Sequence, residues 1–152
     1  MANNRSGYED ADDEWAMIRY RGAVASAIRG RRGQEFLAEL VETLDAMPTK
    51  ELIRDSFSCD GGVCALGSIY AARGISPPVI DYDEHLDPLS EEVGLGLGIA
   101  NALAAEIMDV NDERGPPLES AEARWQRVRR WVVYRIRQES AAGINNNAEV
   151  AP

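Results

Sequence analysis

A mainly α fold, a compact bundle of five or six helices with at most a short β-hairpin, is what this sequence predicts. Three observations carry that expectation. Apolar residues recur at steps of three and four along most of the chain; glycine and proline interrupt the runs about once per helix length; and only the stretch around "CDGG" changes to an extended pattern. The 152 residues suffice for one domain with a real core. Residues 13–138 are assigned to it, while the polar segments 1–12 and 139–152 are expected to be disordered.

In chain order, "EDADDE" places acids before a helix that begins near Asp13, where negative charge suits the helix dipole. Met17, Tyr20, Val24 and Ile28 then share one face, and Gly30 with Gly33 is read as the end of the run. In "QEFLAELVETLDAM", Phe36, Leu37, Leu40, Val41, Leu44 and Met47 form an apolar stripe opposite Glu35, Glu39, Glu42 and Asp45, and Pro48 stops the helix. "LIRDSFSC" reads as extended and "DGG" as its turn, leading to a short helix closed by Gly74.

"ISPPVIDYDEHLDP" reads as a loop from its prolines. "EEVGLGLGIANALAAEI" then reads as a helix, a glycine turn and a second helix. Val93, Leu95 and Leu97 are expected to pack from the first, and Ile99, Leu103, Ile107 and Val110 from the second. Gly115, Pro116 and Pro117 end that pair. A last helix, from about Ser120 to Gln138, should bury Trp125, Val128, Val132 and Ile136.

Composition narrows the function classes. A hydrophobic share of 45% and a charged share of 28% are those of a soluble globular chain, and no apolar run approaches a membrane span. The first residues lack the apolar core of a secretory signal, so a cytoplasmic location is expected. Cys59 and Cys64 have no second pair with which to build a metal site, and two reduced thiols near a turn are expected.

The formal charge of −10 opposes binding to a polyanion through the whole surface. Residues 118–137 depart from that background with six arginines against two glutamates, leaving a net −14 on the remaining 132 residues. The chain reads as an acidic body with one basic helix.

"RGAVASAIRGRRGQEFLAELVETLDAMPTKELI", "VCALGSIYAARGI" and "GIANALAAEIMDVNDERGP" resemble a family of small acidic helical proteins encoded by tailed bacteriophages and prophages, over residues 15–137. That family has no assigned activity, so the resemblance transfers no site residue. It implies a phage gene product that acts inside a bacterium.

The candidate sites follow from chemistry. The unit at 91–107 has the outline of a DNA-reading helix-turn-helix, but its second helix is expected to expose Ala100, Asn101, Ala104, Ala105 and Glu106 where base reading needs Arg, Lys, Asn or Gln. Asp109, Asp112 and Glu113 oppose the dipole at that helix's C-terminus. Either Arg114 and arginines of the last helix answer them, or they offer acids to a basic partner. Asp81, Asp83, Asp87 and Glu92 fall at calcium-loop positions, yet Leu86 stands where the loop needs glycine.

His85 has no nucleophile motif beside it, and the glycines of "GLGLG" fit close helix approach better than phosphate binding. On the last helix, Arg124, Arg127, Trp131 and Tyr134 cluster on one side with Arg130 and Arg137 next to them, the composition of protein-interface hot spots.

The expected function is therefore that of an acidic, non-enzymatic, protein-binding factor without cofactor or metal. It would modulate a host or phage complex, with counter-defence and mimicry of nucleic-acid charge as candidate routes. Its contact residues would be Arg124, Arg127, Arg130, Trp131, Tyr134, Asp109, Asp112 and Glu113. Direct nucleic-acid binding is disfavoured, and a small helix-turn-helix regulator is the alternative.

Overall fold

The structure, a computed structural model, describes the backbone of residues 3–79 and 86–150 and the side chains of residues 12–79 and 88–136. The expectations for the two polar ends, apart from Asp12, and those for Asp81, Asp83, His85 and Asp87 fall outside the described side chains. Six helices and one two-stranded hairpin are present among the described residues: α1 Asn3–Arg29, α2 Arg31–Ala46, β1 Ser58–Cys59, β2 Gly62–Val63, α3 Ala65–Arg73, α4 Leu86–Leu97, α5 Asn101–Asp112 and α6 Ala121–Val150. The mainly α expectation holds. Among the described residues no single helix is long and apolar enough to cross a membrane.

Val24 and Ile28 of α1 are buried, as their spacing requires, and Gly30 joins α1 to α2 in an extended conformation. Gly33 does more than end a run. It sits inside the first turn of α2, where an added Cβ would lie 1.8 Å from the Ala27 carbonyl oxygen, so the two helices meet closely only at glycine. α2 buries Phe36, Leu37, Leu40 and Leu44 and stops before Pro48, with Met47 extended as a residue preceding proline must be. Lys50 closes this end by donating to the Asp45 and Met47 carbonyls.

The extended run forms a strand only at Ser58–Cys59, which pairs antiparallel with Gly62–Val63. Asp60 at φ 51° and Gly61 at φ 83° make the two-residue turn that suits strand twist. Ile53 donates to the Val63 carbonyl at 2.9 Å and thereby ties the preceding segment to the hairpin. The Cys64 Sγ then caps α3 by accepting from the Gly67 amide at 3.3 Å, and Gly74, left-handed at φ 68°, ends that helix.

α4 and α5 meet at an angle of 108°. The joint is Gly98 at φ 75°, whose amide, with that of Ile99, donates to the Gly94 carbonyl. Gly94 itself lies against the start of α5: an added Cβ would be 2.8 Å from both the Ile99 carbonyl oxygen and Asn101 Oδ1. The expectation for Leu95 is overturned. Val93 and Leu97, one turn apart, are buried, but Leu95 stands about 200° around the helix from either and is 86% exposed.

α5 is the central helix, packed against α1, α3, α4 and α6. Its exposed face is therefore narrower than expected: Ala100 and Asn101 are exposed, whereas Ala104 and Glu106 are buried. The Ser120 hydroxyl caps α6 by accepting from the Ala123 amide at 3.1 Å. Val128 and Val132 reach the core from α6. Trp125 and Ile136 are partly buried, and the Trp125 Nε1 donates to the Leu44 carbonyl at 3.2 Å.

Candidate interaction surfaces

The basic side of α6 divides into two parts with different surroundings. Pro116, Pro117 and Leu118, the last at φ 62°, make a tight turn that swings Glu119 inward, and its side chain is only 5% exposed. Arg127 grips both Glu119 oxygens, at 2.7 and 3.0 Å, and donates to the Val110 and Asn111 carbonyls at the end of α5. Arg124 donates to the Leu52 carbonyl at 2.9 Å and lies 3.5 Å from Glu119. The hydrogen bonds from Arg127 hold the Glu119 carboxyl below the usual range despite its burial. Arg124 and Arg127 thus face this chain's own carboxylate and carbonyls: Arg127 clamps α6 onto the end of α5, and Arg124 ties α6 to the segment at Leu52.

The acids at the end of α5 also meet partners within the chain. Asp109 accepts from Arg114 Nε at 2.8 Å, and the same guanidinium reaches the buried Glu106. Glu106 in turn accepts from the Tyr20 hydroxyl at 2.9 Å; burial, reinforced by Glu106, pushes the Tyr20 phenol upward. Asp112 accepts from the Asn111 amide nitrogen at 2.7 Å and from the Asp55 backbone at 3.2 Å, and Glu113 lies 3.7 Å from Arg54.

Asn111 is a residue that sequence reasoning missed. Buried, it accepts from the Ala65 amide at the start of α3 and donates to the Ile53 carbonyl, and its even-handed polarity in the sequence offers no signal of this.

The second part of the α6 surface lies one turn further along and is open. Arg130 is exposed and has no ion pair among the described residues, and Tyr134 is 58% exposed. Trp131 is half-buried. Arg135, which sequence reasoning did not single out, places its guanidinium 5.3 Å from the Trp131 ring centre and 6.0 Å from that of Tyr134. Its four-residue spacing from Trp131 was the available signal. Trp131 Nε1 and Arg135 Nε, like Arg124 Nε in the clamp, are shielded from solvent and have no hydrogen-bond acceptor among the described residues.

The charge map needs one correction. A second basic stretch exists: residues 15–34 carry Arg19, Arg21, Arg29, Arg31 and Arg32 and no acid at all. All five are exposed, and among the described residues only Arg31 has an ion pair, with Glu35 at 2.9 Å. The cysteines are both free: Cys59 is exposed on the hairpin, and burial pushes the Cys64 thiol up to about 12.

No protein-family model, no curated protein and no solved structure matches the chain.

Proposed function

We propose that this chain is an interaction protein that engages a host or phage protein through the outer side of α6, at Arg130, Trp131 and Tyr134 together with Arg135. One observation carries the reading: an exposed arginine, Arg130, and an exposed tyrosine, Tyr134, flank the half-buried Trp131, over whose ring the Arg135 guanidinium lies. Trp, Tyr and Arg are the side chains that concentrate binding energy at protein interfaces. Arg124, Arg127, Asp109, Asp112 and Glu113 support this surface from within, since each is engaged in the chain's own clamps.

Support for the helix-turn-helix alternative is weaker. α5 carries no basic residue and is packed by four helices, which leaves Asn101 as its one exposed side chain with a donor for base edges.

The test is capture of partners from a bacterial host lysate, followed by titration of the purified candidate against wild type, Tyr134→Ala and Arg130→Ala. Affinity should fall about tenfold or more for each variant, with melting temperatures unchanged. A partner that binds both variants as it binds wild type refutes this surface.

A further inference from the structure

The basic stretch on α1 and an acidic groove elsewhere in the molecule match each other in charge and in apolar content. Taking 100° per residue, Trp15, Ile18, Arg19, Gly22 and Arg29 fall within about 100° of arc on the side of α1 opposite Tyr20, Val24 and Ile28. Trp15 is 61% and Ile18 53% exposed, and a Cβ added at Gly22 would meet nothing within 4 Å. The face is thus a flat helical strip with an apolar end. Arg19 lies beside that apolar end and Arg29 about 15 Å further along the strip. Arg54, Arg73, Arg114, Arg124, Arg127 and Arg129 all pair with carboxylates of the chain, whereas Arg19 and Arg29 have no ion pair among the described residues.

The groove lies on other elements, between the C-terminal half of α2, the segment that follows it, the hairpin and α3. Its volume of about 1370 Å³ exceeds that of an ordinary small-molecule site and suits side chains projected from a helix. Ala46, Met47, Ile53, Val63, Ala71 and Ala72 give it an apolar lining. Glu42, Glu51 and Asp60 on the same lining are exposed and have no ion pair among the described residues. Arg54, the one basic residue of the lining, is shared between Asp55 and Glu113.

We propose that the outer face of α1 docks into this groove on a second copy of the chain. The aromatic and aliphatic side chains of Trp15 and Ile18 enter the apolar lining, and the flanking arginines meet Glu42, Glu51 and Asp60. Exposed aliphatic carbon beside the arginines favours a protein surface over a nucleic-acid strand, whose phosphates gain nothing from Ile18. The contact joins two different patches, so it is head-to-tail, and each molecule keeps one free patch of either kind.

That geometry supplies its own test by complementation. Arg19→Glu with Arg29→Glu breaks the α1 face, and Glu42→Arg with Glu51→Arg breaks the groove. All four residues are exposed, and none is in an ion pair among the described residues, so both variants should fold, as circular dichroism would verify. Sedimentation velocity should show concentration-dependent assembly of wild type and at least tenfold weaker assembly of each variant alone. The two variants mixed should assemble again, because an intact face then meets an intact groove and the reversed face and reversed groove are once more opposite in charge.

A control carrying Val79→Glu, Leu95→Glu, Ala123→Glu and Gln126→Glu, all exposed and outside both patches, has the same change in net charge as the α1 variant and should assemble as wild type does. The proposal is overturned if wild type stays monomeric, if either variant assembles like wild type, if the control loses assembly to the same degree, or if the mixture does not assemble. Dye attached to Cys59, on the groove lining, should respond in the mixture when it is carried by the α1 variant, whose groove is intact. No response there also refutes the docking site.

Discussion

Glu119 shows how one residue sets the position of a long helix. Two arginines converge on a carboxylate that is almost withdrawn from water, and Arg127 passes the connection on to the last carbonyls of α5. Arg127→Ala would leave Glu119 with a weaker set of donors, at an expected cost of about 2 kcal/mol, or a fall in melting temperature of about 4–8 °C for a chain of this size. Calorimetry checks it; a change under 1 °C would mean that the clamp contributes little.

Cys64 is a second such residue. It caps α3 with a sulfur whose burial disfavours the thiolate. A thiol reagent at pH 8 should therefore modify one cysteine, Cys59, in the folded protein and two after unfolding in urea. Prompt modification of both in the native state would contradict the burial described.

At the level of elements, the α4–α5 joint is the place where side-chain size matters most. Gly94→Ala would push a methyl group against the Ile99 carbonyl and Asn101 Oδ1 at 2.8 Å, which requires the two helices to part. An expected loss of about 2 kcal/mol follows from overpacking at a backbone contact, measurable as a lower urea midpoint with an unchanged slope. Gly98→Ala acts differently, through left-handed strain at φ 75°, and should cost about 1 kcal/mol. A larger loss at 98 than at 94 would show that the turn, and not the helix approach, governs the joint.

For the whole molecule, stability should peak near neutral pH and fall on both sides. Arginine hydrogen bonds hold Glu39, Asp45 and Glu119 below their usual values. Folded carboxyl values below the unfolded ones add stability that is complete above the ordinary values of 3.8 to 4.5 and is lost as pH falls through the folded values beneath them. On the alkaline side, burial raises Tyr20, Cys64 and Tyr70, so their contribution is complete below 9 and declines as pH rises past 9 to 10.

Urea midpoints between pH 3 and 11 should trace that dome, and Glu119→Gln should flatten its acid limb. An acid limb identical in the variant would show that Glu119 is not among the groups responsible.

The amino-acid sequence alone marks four helix boundaries here, because their signals act within a turn or two of chain: Pro48 after α2, Gly74 after α3, Gly98 between α4 and α5, and Ser120 before α6; it placed the starts of α1 and α4 too late and the end of α6 too early. The core stripes of α2 and α6 were legible for the same reason, since a period of 3.6 is a local property. Leu95 was misjudged by reading alternate residues as one face within a helix.

Only the tertiary structure decided which charges face one another. Arg129 meets Asp45 and Arg73 meets Glu39 across 84 and 34 residues of chain, and a pairing at that separation leaves no trace in local pattern. It also divided the basic side of α6 into a clamp around Glu119 and an open patch around Trp131. Arg127 lies beside the end of α5, whose carbonyls hold its guanidinium, and Arg124 lies beside Leu52 and Glu119, whereas Arg130 and Tyr134 lie beyond these groups on the exposed side of α6.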